Sequence, residues 1–115
     1  MTAADIPNFI TKPKTLTDVM RAAADLLKQA DDSGLPGPMS ASINGGGSKV
    51  RLGFPGRRDS YHALADWATR FGGTLTGEPY TFADGEETVH CQVYFLFEGM
   101  TVEAYAFIVA DQLSI

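Results

Sequence analysis

Apolar residues change their spacing several times along this chain, and each change marks an element. Leu16, Val19, Met20, Ala23, Leu26, Leu27 and Ala30 recur at three- and four-residue steps, which lines one face of a helix over about 16–30. Thr15 or Thr17 can cap its start, with Asp18 placed to favour the helix dipole. Gly34, Leu35 and Pro36 form the stop: a left-handed residue, an apolar residue that packs back, and a proline that cannot continue the helix. Met39, Ala41 and Ile43 then alternate with Ser40, Ser42 and Asn44. Past Gly45-Gly46-Gly47, Val50, Leu52 and Phe54 alternate with Lys49, Arg51 and Gly53. This predicts a hairpin with one apolar and one polar face.

Pro55-Gly56 breaks the hairpin, and helical spacing returns from about Arg58 to Phe71. It predicts burial of Tyr61, Leu64, Ala65, Ala68 and Phe71, with Trp67 at the edge of the stripe and Gly72-Gly73 as the stop. A strand near 74–82 contains Gly77 and Pro79, which places it at a sheet edge or gives it a kink. Turns at Ala83 to Glu87 and at Glu98-Gly99 separate two long final strands. One face of these reads Val89, Cys91, Val93, Phe95, Phe97 and Met100, Val102, Ala104, Ala106, Ile108. The other begins polar and then carries Tyr94, Leu96, Tyr105 and Phe107, where a solvated face of an antiparallel sheet would stay polar.

The order α-β-β-α-β-β-β predicts an α+β fold: a mostly antiparallel five-stranded sheet with two helices packed on one face. Residues 1–14, with Pro7 and Pro13, read as an extended N-terminal arm that Ile6, Phe9 and Ile10 could pin to the body. Residues 15–115 read as a single domain.

Composition narrows the function classes. The 115 residues suffice for a core without disulfides. Cys91 is the single cysteine and lies in an apolar strand, so it reads as a buried, inert thiol. Met1 to Phe9 lack the features of a secretory signal, and no segment has the roughly 20 apolar residues of a membrane helix. A cytoplasmic protein with no membrane contact is the expectation. The net charge of −5 disfavours generic binding to nucleic acid.

Catalytic equipment is sparse. Neighbouring strand residues point to opposite faces, so His90 and Cys91 cannot act as a pair, and a surface histidine beside a core cysteine is the reading. His62, Asp66 and Arg70 line one side of the second helix and read as a solvated charged face. Asn44-Gly45-Gly46-Gly47-Ser48-Lys49 lacks the residue order of a phosphate loop and is followed by a strand. No catalytic set, metal site or cofactor is assigned. Lys49, Arg51, Arg57 and Arg58 cluster within ten residues as a candidate anion-binding group, while Glu78, Asp84, Glu86 and Glu87 gather the opposite charge. Tyr94, Leu96, Tyr105 and Phe107, joined by Tyr80 or Phe82, are the candidate partner-binding patch.

The runs Ala22-Ala23-Ala24-Asp25-Leu26-Leu27, Gly34-Leu35-Pro36-Gly37-Pro38 and Ala63-Leu64-Ala65-Asp66-Trp67-Ala68 ahead of Phe71-Gly72-Gly73 make the chain resemble small uncharacterised proteins of actinobacteria and of their phages or mobile elements. The likeness implies no activity and carries over no functional residue. The expected function is a non-enzymatic interaction or regulatory module, such as a phage or mobile-element accessory protein. It would act through the aromatic sheet face on a protein partner or by self-association as a homodimer. Two alternatives stand beside it. One is an acidic immunity-type inhibitor of a basic enzyme such as a nuclease, contacting it through Glu86, Glu87 and Glu103. The other is a single-stranded nucleic-acid binder, stacking bases on the sheet aromatics.

Overall fold

The computed structural model describes residues 15–44 and 48–113. The arm over 1–14 and the glycine tip 45–47 lie outside them. Helix α1 spans Leu16–Asp32. Thr15 caps it, its Oγ1 accepting from the Asp18 backbone N–H at 3.0 Å. Gly34 takes φ +75°, and the Leu35 N–H donates back to the Ala30 carbonyl at 2.9 Å, a left-handed stop. Val19, Ala22, Ala23, Leu26 and Ala30 are buried, whereas Leu16 and Met20 are half exposed. The buried stripe is therefore rotated from the predicted one: Ala22 joins it, and Leu16 and Met20 leave it.

Strands β1 (Ser40–Asn44) and β2 (Lys49–Gly53) form the expected hairpin. Helix α2 spans Arg58–Phe71 and ends at Gly72 with φ +89°. Strands β3 (Thr74–Thr81), β4 (Glu87–Phe97) and β5 (Met100–Val109) follow. A two-residue turn joins β4 to β5, with Glu98 and Gly99 both at positive φ (50° and 77°), the handedness that matches strand twist.

The sheet order is β1-β2-β5-β4-β3. Three strand pairs are antiparallel, and β2 runs parallel to β5. The chain leaves β2, crosses one face as α2, and returns at the far edge as β3. Gly77 and Pro79 thus sit in an edge strand, where a missing N–H costs least. The last strand, β5, slots into the middle of the sheet.

Both helices pack on the same face, over a single core that joins Val19, Leu26, Leu64 and Trp67 to Val50, Leu52, Val93, Val102 and Ile108. Trp67 is fully buried rather than at the edge of its stripe. It lies above the central strands, edge-on to Phe54 and tilted against Phe71, with centroids 5.8 and 5.3 Å away. Its Nε1–H donates to the Pro36 carbonyl at 2.8 Å. Tyr61, expected inside, is 41% exposed and lines a cleft with Arg58, His62 and Leu113. No described helix is long and apolar enough to cross a membrane.

Candidate functional site

The sheet face opposite the helices is built on Glu103, at the middle of the central strand. Its carboxylate is 4% exposed although no helix of the described residues covers that face. Long neighbours provide the cover. In the β2–β5 register Arg51 stands directly beside Glu103, and in the β4–β5 register Tyr94 stands on its other side. Arg51 Nε donates to Oε1 at 3.0 Å, and Lys49 Nζ lies 3.4 Å from the same oxygen. Gln92 Nε2 donates to Oε2 at 3.0 Å and to the Tyr94 hydroxyl at 3.1 Å. Burial pushes the Glu103 carboxyl up, but the Gln92 amide, the Arg51 guanidinium and the Lys49 ammonium outweigh it and hold the group below the usual glutamate range.

Aromatic rings extend the cluster. The Arg51 guanidinium lies 4.2 Å from the Tyr105 ring centroid, within cation–π range. Gly53 makes room for that ring: a Cβ there would lie 3.0 Å from the Tyr105 hydroxyl oxygen and 2.5 Å from Ser40 Oγ. Tyr105 meets Phe107 edge-on at 6.0 Å. Phe107 in turn contacts Tyr80 and Phe82 at 5.2 and 5.3 Å, and His90 stacks on it at 4.2 Å with planes 7° apart.

His90 is not the surface residue that its position beside Cys91 predicts. Its side chain is 20% exposed, and Nε2 is buried 4.0 Å from Glu103 Oε2 with no hydrogen-bond partner among the described residues. Cys91 does lie on the opposite, core face, 1% exposed, and burial pushes its thiol up and away from the reactive thiolate.

The candidate patch therefore has two levels. Tyr94 and Leu96 stand out, 47% and 74% exposed, as does Tyr80 at 48%. Tyr105 and Phe107 form a half-buried layer beneath, among His90, Arg51 and Phe82. Tyr94, level with Glu103, and Leu96 beyond it lie toward one end of the face and Tyr80 toward the other. Tyr80 pairs with Thr88, six residues from Tyr94 on β4, a separation of roughly 20 Å.

The four basic candidates do not share one surface. Lys49 and Arg51 share the single Glu103 carboxylate on the outer face, which leaves the trio with one net positive charge. Arg57 and Arg58 open α2 and line separate clefts. Arg57 lies beside Pro36, Phe54 and Asp59, and Arg58 lies with Tyr61, His62 and Leu113 around about 380 Å³. The Arg58 backbone N–H donates to Gln112 Oε1 at 3.1 Å. Glu103, one of three contacts in the immunity-type alternative, is buried and offers no surface charge, whereas Glu86 and Glu87 are exposed. No group of three or more histidine, cysteine or acidic residues fit to hold a metal ion occurs among the described residues.

Sequence reasoning read His90 as a surface residue, gave Gln92 no role and gave Glu103 the wrong surroundings. The one available signal was a lone carboxylate at the centre of an otherwise apolar strand. No family model, curated protein or solved structure matches this chain.

Proposed function

We propose that the protein is a non-enzymatic interaction module whose outer sheet face docks an apolar surface of a partner protein. The observation that carries this reading is the exposure of large apolar and aromatic side chains on a face that no described helix covers. Leu96, Tyr94 and Tyr80 stand out on a face whose central basic side chains, Lys49 and Arg51, are tied to the buried Glu103. Apolar groups and wet tyrosine rings suit a protein contact. Glu103 draws on donors of both Lys49 and Arg51, which weighs against the reading of this face as a single-strand binder by leaving fewer for phosphate. A cytoplasmic setting fits the buried Cys91 thiol, and the accessory role in a phage or mobile element rests on the resemblance alone.

The test is affinity capture from cells of the source organism with two baits, the wild-type chain and Tyr94→Ser/Leu96→Ser. Both substituted side chains are exposed, so the double variant keeps native circular dichroism. A protein retained by the wild type alone, which then binds the purified wild-type chain in calorimetry with a negative heat-capacity change, is the expected outcome. Identical capture by both baits would overturn the reading.

A further inference from the structure

The two edges of the sheet are built differently. Edge strands expose unpaired backbone groups that invite another strand, and proteins blunt them with charge, proline or a bend. Strand β3 carries Gly77, Glu78 and Pro79 in mid-strand. Strand β1 reads Ser-Ala-Ser-Ile-Asn, without charge, proline or glycine, and all of it is exposed except Ile43, which is partly buried. It forms one of the two edges of the sheet among the described residues.

We propose that β1 pairs antiparallel with β1 of a second copy of this chain, about a two-fold axis through Ser42. A two-fold contact sets each surface against itself, so any charge on the strand would meet or neighbour its like. β1 has none. With Ser42 opposite Ser42, each Ala41 faces the second copy's Ile43. Ala41 and Ile43 pair with the buried Leu52 and Val50, so they point to the helix side. There a groove of about 330 Å³, lined by Leu27, Asp31, Pro38, Met39 and Ala41, runs beside the edge. It can receive the incoming Ile43, and it would cover Met39, which is 70% exposed. Ser40, Ser42 and Asn44 fall on the outer face, with the short Ser42 side chain at the axis. The result is one continuous ten-stranded sheet with the helices of both copies on one side and two outer faces side by side on the other, a bivalent surface.

Charge exchange at Ser42 tests this without disturbing the core. Ser42→Lys and Ser42→Glu each put like charges together on the axis, at an exposed position. Light scattering on a sizing column, over a hundredfold range of concentration, should show the wild type as a dimer. Each variant alone should dissociate at least about tenfold more readily, with native circular dichroism, and an equimolar mixture of the two should restore the dimer. Leu96→Ser should leave the mass unchanged, which separates this contact from docking on the outer face. A monomeric wild type, a dimer indifferent to charge at residue 42, or a dimer lost in Leu96→Ser would each overturn the proposal.

Discussion

Arg51 and Glu103 stand side by side on parallel strands, their Nε and Oε1 3.0 Å apart, although 52 residues separate them in the chain. The pair is lopsided. Arg51 keeps 42% of its side chain in solvent and Glu103 keeps 4%. The carboxylate depends on the pair for solvation, while the guanidinium could recover water alone.

Glu103→Gln should therefore lower stability by about 2 kcal/mol at neutral pH, the scale of hydrogen bonds to a charged group. Urea unfolding followed by circular dichroism would measure it. The dependence on pH has a definite sign. Because the folded-state carboxyl is held below its ordinary value, its contribution is full above the usual glutamate range and fades as pH falls through the lower folded value. The gap between wild type and Glu103→Gln should narrow on acidification. A gap that stays constant from pH 7 to pH 3 would show that the charge is not the source.

His90 carries a buried nitrogen without a hydrogen-bond partner among the described residues, on a ring stacked against Phe107. His90→Phe keeps an aromatic ring and removes the unsatisfied atom, so it should raise stability by about 1 kcal/mol at pH 8. A thermal melt reads this directly. An equal loss of stability would mean that Nε2 is engaged in solution.

Trp67 is the sole tryptophan and is fully buried. Its emission should be blue-shifted in the folded protein and move to the red in a single step on unfolding. Trp67→Phe loses ring volume and the bond to the Pro36 carbonyl, and should cost about 2 kcal/mol. Denaturant midpoints would check the loss. A variant as stable as the wild type would show that the tie between α2 and the loop before β1 is dispensable.

Much of the fold was legible because its signals are local. A 3.6-residue period gives a helix wherever it occurs, and Gly34 and Gly72 stop helices through their own backbone freedom. Alternation marked four of the five strands, and Gly77 with Pro79 left β3 either at an edge or kinked, of which the sheet order shows the edge. Even Trp67 was misplaced only within its helix, since spacing gives the direction of a stripe but not what lies opposite.

The outer face was legible only in part. Alternation does put Tyr94, Leu96, Tyr105 and Phe107 on one side. It cannot say which are exposed, because Tyr105 and Phe107 are covered by side chains from strands that only the sheet order makes neighbours. The chain by itself determined the helices, the strands, the two faces and the inward cysteine, all consequences of periods a few residues long. Tertiary structure alone decided that β5 inserts beside β2. That single non-local pairing sets Arg51 and Lys49 on one flank of Glu103 while Gln92 and His90 close the other. A register between distant strands is chosen by the total burial it achieves, and no short stretch of sequence contains that sum.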